Sequence, residues 1–286
     1  MSVRSIRRGR TEYPPLLRAI PDPPPTLWLR GDASTELLAR PAVAIVGARA
    51  CSSYGRSVAR SLGRELASAG LVVVSGMARG IDGEAHRGAL DAGGITVAVL
   101  GCGIDRDYPA AHRDLAGLIV EKGLIVSEYE PGIEPAPWRF PARNRIIAGL
   151  CAATVVVEAR ERSGALITAD FALEAGREVF AVPGEITSTL SAGTNALLRL
   201  GATPLTSPED VLEALGVDAV SAPEPELGEA PARVLEALAR EPSGIDGLIR
   251  QTGLNAAAVA TALAELELVG AVAEADGLYR GVRPQG

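Results

Sequence analysis

The chain is poor in the groups from which disulfide scaffolds, metal sites and most hydrolases are built. Its 286 residues include three cysteines and two histidines. Cys51, Cys102 and Cys151 are odd in number, far apart and without a C-x-x-C spacing, which argues against a disulfide framework or a zinc site; they read as small buried residues. No stretch approaches the roughly 18–20 uninterrupted apolar residues of a membrane span. The basic N-terminus MSVRSIRRGRTEYPP has no apolar segment behind it, so no secretory signal is expected and a cytoplasmic location is. Lysine is nearly absent too: of 28 cations, Lys122 alone is not arginine. With no G-x-x-x-x-G-K-[ST], P-loop ATP hydrolysis is excluded. The dinucleotide fingerprint G-x-G-x-x-G is also missing, since Gly47 is followed by no glycine until Gly55 and the second strand ends in Ser75-Gly76 rather than an acid. No cofactor and no metal ion are expected.

The net charge of −7 argues against a diffuse electrostatic hold on DNA or lipid, so an anion site has to be a local cluster. Residues 1–40 carry seven arginines against four acids, whereas 217–231 carry four acids, three prolines and no base. The latter segment reads as an extended, self-repelling linker.

What is present is a repeat of short Val- and Ile-rich runs: AVAIV (42–46), LVVVS (71–75), ITVAVL (95–100), LIVS (124–127), ATVVVEA (153–159) and EVFAVP (178–183). Continuous apolar runs of this length suit strands buried on both faces, and helix-length segments separate most of them. The expected fold is α/β, a doubly wound Rossmann-like parallel sheet. Helices are predicted over 54–69, 82–92, 110–122, 143–151, 164–176 and 207–215, the last capped by Ser207 with Pro208 behind it. After the linker, three helical patterns and two short strands around Ala275-Asp276-Gly277 outline a small winged-helix domain. Its third helix (255–267) carries Glu265 and Glu267 and no cation, which argues for a protein contact or a structural role over reading of a DNA groove. The expected organisation is a pre-sheet segment (1–40), a Rossmann-like domain (41–216), an acidic Pro-rich linker (217–231) and a winged helix (232–286).

In open parallel sheets, ligands sit beyond the carboxyl ends of the strands, at helix N-termini. The loops there are rich in glycine, serine and arginine: Gly47, Arg49, Ser52 and Ser53 after the first strand; Gly76, Arg79 and Gly80 after the second; Arg106 after the third; Ser163 and Gly164 farther on. Together they predict an extended anion site. Asp82 and His86, four apart on one helix face, suggest an acid–base pair, but with no nucleophile beside them they read as a helix cap and its hydrogen-bonded neighbour. No catalytic residue is assigned. The stretch PAPWRFPARNRIIAG (135–149) interleaves Arg139, Arg143 and Arg145 with Trp138 and Phe140 in a loop leading into a helix. Arginines that follow a phosphate backbone, with aromatics on which bases stack, are what single-stranded nucleic acid requires.

The strings GARACSSYG, SGMARGIDGEAHRGAL, LGCGIDRDYPAAH, FPARNRIIAGL, VVEARERSGALITADFALEAGREVFAVPG and SAGTNALLRLGA resemble the DprA/Smf family of DNA-processing proteins of natural transformation. The resemblance spans about residues 10–216, and YPPLLRAIPDPPPTLWLRGD (13–32) is similar to the family's pre-sheet segment. It implies a homodimeric single-stranded DNA binder that helps load the RecA recombinase onto strands covered by single-strand-binding protein. It also implies that the strand passes Arg49, Arg106, Arg143, Asn144 and Arg145, with Phe140 as a base-stacking place. The family often carries a helical N-terminal domain ahead of this segment; residues 1–12 precede it here, so that domain is expected to be missing. The rival reading is an enzyme of the lysine-decarboxylase-like phosphoribohydrolases. These carry P-G-G-x-G-T-x-x-E, and PGEITSTLSAGTN lacks that spacing.

Overall fold

A computed structural model describes residues 3–217, 227–268, 271–275 and 277–281 of the chain. The chain divides into two compact units, residues 1–220 and 221–286.

In the first unit, nine strands form one sheet: β1 (Val3–Arg7), β2 (Thr26–Arg30), β3 (Ala42–Val46), β4 (Val72–Ser75), β5 (Thr96–Leu100), β6 (Leu124–Ser127), β7 (Ala153–Val156), β8 (Glu178–Ala181) and β9 (Thr203–Pro204). Their order is β1-β2-β6-β5-β4-β3-β7-β8-β9. From β6 across to β9 every pairing is parallel; β2 runs antiparallel to β6 and to β1. The six Val-rich runs thus build the parallel part, as expected, and the pre-sheet segment adds an antiparallel edge. The chain moves outward from β3 through β4, β5 and β6, then returns to pair β7 on the other side of β3, which makes the β3–β7 border the topological switch point where such sheets open a crevice.

The helices are α1 (Pro15–Arg18), α2 (Ser53–Ser68), α3 (Ile81–Asp91), α4 (Arg113–Lys122), α5 (Arg139–Leu150), α6 (Gly164–Glu174), α7 (Ala192–Arg199) and α8 (Glu209–Leu215). Side chains of a strand alternate between sheet faces, and the buried clusters separate accordingly. Ala42, Ala44 and Val46 of β3 with Val72 and Val74 of β4 join Leu17, Ile146 and Ala169 on one side. Val43, Ile45 and Val73 join Leu62, Leu66, Ile81 and Val211 on the other. Each fully buried Val or Leu contributes ~1.5–3 kcal/mol, so these two layers hold the crevice walls in place.

Three helix starts differ from the sequence expectation by two residues or more. Helix α5 starts at Arg139, four residues early, because a proline in the first turn, Pro141, loses no intrahelical bond. Residues 110–112 form a 3-10 turn before α4. Helix α8 starts at Glu209, and Asp210 rather than Ser207 satisfies its entry, accepting from the N–H groups of Thr206 and Ser207 at 2.7 and 2.9 Å.

The second unit holds α9 (Glu229–Arg240), α10 (Ile245–Thr252), α11 (Ala256–Leu268) and the antiparallel pair β10 (Val272–Ala275) and β11 (Leu278–Gly281). Val234, Leu238, Leu248, Val259, Leu263 and Leu266 form its core. This is the expected winged-helix outline. Most of the expected linker, and Asp276 of the expected hairpin turn, lie outside the described residues. Among the described residues no helix is long and apolar enough to cross a membrane, and no group of three or more His, Cys, Asp and Glu is placed to hold a metal.

Candidate single-stranded DNA interface

The loop after β3 folds back on residue 158, just past the end of β7. Ala48 N–H donates to the Glu158 carbonyl at 2.7 Å. Ser52 N–H donates to Glu158 Oε2 at 2.9 Å and the Ser52 hydroxyl to Oε1 at 2.5 Å, while Ser52 Oγ accepts from Gly55 N–H at 3.0 Å. The N-terminus of α2, a ready anion site, is therefore already occupied by a carboxylate of the same chain. Gly55 is required there, since a Cβ would run into that carboxylate. Ser53 is exposed.

The loop after β4 packs against this one. Ile81 N–H donates to the Ala48 carbonyl at 3.3 Å. Gly80 has φ +77°, and a Cβ on it would collide with the Ala48 and Arg49 carbonyls, so glycine is needed on both counts. Arg79 is exposed, and Met77 takes φ +61° with its carbonyl bonded to His112 Nδ1 at 2.9 Å. Because His112 lies in the next loop, the three loops form one connected rim.

Arg143 and Asp82 lie beneath this rim, 4% and 6% exposed. The Arg143 guanidinium donates to the carbonyls of Gly76 (2.8 Å) and Val99 and, through Nε, to Asn144 Oδ1 (3.2 Å). Burial lowers its pKa to about 10, against the opposing pull of Asp82. Burial likewise raises the Asp82 carboxyl, although Arg143, the Ala78 and Gly76 backbone and Arg49 all act to lower it. Asn144 Nδ2 donates to the Gly164 carbonyl at 3.0 Å, and Ser163 Oγ accepts from Ala165 N–H, closing the start of α6.

Above the buried charges stands a short column. The Arg49 guanidinium lies 5.3 Å from the centroid of Phe140, whose ring stacks on Tyr108 at 5.2 Å with 24° between planes. Arg49 is exposed, Phe140 half-buried and Tyr108 40% exposed. Two cavities share Arg49, Ala78, Phe140 and Arg143 as a common wall. One, about 240 Å³, continues to Asp82, Asn144 and Ser163. The other, about 280 Å³, continues to Gly76, Arg79 and Tyr108. A guanidinium, two aromatic rings and two clefts of this size offer a cation for phosphate and faces for bases at one place.

Of the residues proposed from sequence, Gly47, Arg49, Gly76, Arg79, Phe140, Arg143, Asn144, Ser163 and Gly164 line these two cavities. The rest lie elsewhere or are already engaged. Arg145 points away, holding Glu128 through two nitrogens at 2.8 Å and Asp22 at 3.0 Å. Arg106 pairs with Glu134, and Arg139 lies 4.8 and 5.0 Å from the ring centroids of Trp138 and Tyr129. Arg49 and Arg79 make no ion pair among the described residues. Tyr108 and Glu158 escaped the sequence reading. The available signals were an exposed aromatic before a proline in DRDYP and a lone acid at the end of a buried apolar strand, VVVEA, a position that demands a partner.

His86 makes no bond to Asp82. Thr96 Oγ–H donates to the Val73 carbonyl at 2.7 Å, so its lone pair accepts from His86 Nδ1–H at 2.6 Å, and Nε2 is buried without a partner. Asp82 accepts instead from Ala78 N–H at 3.3 Å. The two therefore do not form an acid–base couple.

The sequence model of the family described as DNA recombination-mediator protein A matches residues 4–216, and that of the DprA winged helix domain matches 221–277. A putative DNA processing protein DprA of Mycobacterium tuberculosis is 45% identical over 269 residues, covering 91% of this chain and 69% of its own. Among solved structures, DNA processing protein A of Streptococcus pneumoniae is similar with a TM-score of 0.71 at 46% identity, covering 74% of each chain. That of Helicobacter pylori, solved for its single-stranded DNA binding mode, gives 0.68 at 32% identity, covering 77% of this chain and 98% of its own.

Proposed function

The chain belongs to the DNA recombination-mediator protein A family, and from that premise we propose that it binds single-stranded DNA across the β3–β7 crevice and helps load RecA onto it. The observation that carries the DNA reading is the Arg49–Phe140–Tyr108 column between two clefts, at the strand ends where α/β sheets take ligands. The solved relative from Helicobacter pylori, studied for its binding of single-stranded DNA, supports extending that ligand to this chain. RecA loading, contact with single-strand-binding protein and a homodimeric state are what the family resemblance implies, and action in the cytoplasm is part of the same proposal. Two sites on one dimer would lengthen residence on a strand through avidity.

The protein acts in this reading as a binder and not as an enzyme. Ser163, whose hydroxyl lines the cavity with Asp82 and Arg143, accepts from Ala165 N–H as the cap of α6, and His86 is turned into the sheet. A nucleoside-monophosphate cleavage assay is the direct control, since base release would favour the phosphoribohydrolase reading.

Removing Arg49 should weaken binding to labelled oligo-dT and flatten the dependence of log K on log salt by about 0.7, the value of one single-strand phosphate contact. Fluorescence anisotropy at several salt concentrations measures both. An unchanged slope removes Arg49 from the phosphate path. Tyr108→Ala strips the exposed end of the column while keeping every cation, so affinity should fall ~5- to 150-fold, equivalent to ~1–3 kcal/mol for one stacked base, with the salt slope unaltered. Equal affinity for wild type and Tyr108→Ala would show that no base stacks there.

A further inference from the structure

The start of α2 is the place where an α/β sheet of this kind would be expected to hold a phosphate: it follows the central strand, at the switch point. It is filled. Glu158, 5% exposed, presents one carboxylate oxygen to Ser52 N–H and the other to the Ser52 hydroxyl. Among the described residues no arginine or lysine pairs with Glu158, so its charge is met by the helix N-terminus and these donors. The fit is close enough that Gly55 has no room for a Cβ. The carboxylate takes both the N–H and the hydroxyl of Ser52, the residue that caps α2, and a phosphate arriving there meets that carboxylate.

We propose that Glu158 is a specificity-determining residue: a built-in anion that closes this cradle to inorganic phosphate and free nucleotides. The backbone phosphates of DNA are then left to side-chain cations on the rim, Arg49 and Arg79. This consequence for DNA rests on the single-strand binding reading. The closure itself concerns only the loop. It gives a physical reason for a fold suited to mononucleotides to prefer a polymer: a free nucleotide has one phosphate group to offer and finds its strongest seat taken, whereas a strand engages several exposed cations and stacking faces at once.

The test is a titration with inorganic phosphate and with dAMP, following the amide signals of Ser52 and Gly55 by NMR in wild type, Glu158→Ala and Glu158→Gln. In wild type neither signal should move beyond the change produced by chloride at equal ionic strength. Glu158→Ala, which empties the cradle but keeps its donors, should show saturable shifts with both ligands. Glu158→Gln, which refills the same volume, should not. Saturable shifts in wild type, or none in a folded Glu158→Ala, overturn the proposal. Should Glu158→Ala fail to fold, Glu158→Ser takes its place, with the same saturable shifts at Ser52 and Gly55 expected and their absence refuting closure. If wild type does not bind oligo-dT at all, the functional reading fails, and the Ser52 and Gly55 amides still report on Glu158.

Discussion

Replacing Arg143 with methionine is expected to cost ~3–5 kcal/mol of folding stability, because two buried carbonyls lose a donor at ~1–3 kcal/mol each and the buried Asp82 loses its main counter-charge. Arg143 supplies protons to the Gly76 and Val99 carbonyls and positive charge to Asp82, all below the surface. Methionine fills much of the volume but leaves two buried carbonyls short of a donor and Asp82 facing Arg49 alone. The sign of the pH response identifies the cause. Without Arg143 the Asp82 carboxyl, already raised by burial, rises further above its unfolded value. A carboxyl raised on folding penalises the native state above its unfolded pKa, so the deficit of the variant relative to wild type should shrink as pH falls toward about 4. Asp82→Asn in the Arg143→Met background should recover part of the loss, and urea unfolding of the four proteins measures the coupling. A variant within about 0.5 kcal/mol of wild type would show that the Arg143–Asp82 arrangement is not structural.

The second large effect concerns acid stability. His86 is fully buried, and burial, with His112, Arg87 and Arg143 nearby, lowers its pKa from 6.5 to about 3. The unfolded chain therefore binds a proton near pH 6.5 that the folded chain refuses until about pH 3. Stability from this group is whole above about 6.5 and declines as pH falls through that window, by about 1.4 kcal/mol per pH unit. His86→Asn keeps an N–H near the Nδ1 position for Thr96 and cannot titrate. Between pH 6.5 and 4.5 the variant should lose less stability than wild type by about 2–3 kcal/mol, whatever the shared carboxylates contribute. Parallel slopes for the two proteins would show that the imidazole is not held neutral. The ring donates from Nδ1 to Thr96, whose own proton goes to Val73, while Nε2 is buried with no acceptor among the described residues, so the second proton of an imidazolium would be buried unpaired.

Much of the architecture was legible because it follows from local pattern. Runs such as AVAIV and ATVVVEA have no polar face, so they had to become strands covered on both sides, and the loops after them had to lie at one edge. Arg49 and Phe140 could be named from that edge and from the mixing of arginine with aromatics. The antiparallel strands β1 and β2 were not legible as strands, since VRSIR mixes arginines with apolar residues and has one buried position. Nor could spacing reveal that Tyr108 stacks on Phe140, 32 positions away in the chain.

The sequence by itself determined the layers, the place of the crevice and the kinds of side chain that reach it, because hydrophobic period and glycine-rich loops act over a few residues. Which arginines remain available for a phosphate was decided only by the tertiary structure. Arg143 and Arg145 are two residues apart on one helix, yet one goes under the rim toward Gly76 and the other outward to Glu128 and Asp22. A charge becomes free or spent according to the acids that packing brings beside it, and Asp22 is 123 residues from Arg145, as Glu158 is 106 from Ser52. Coulomb attraction depends on distance in space, and only the packed sheet sets those distances.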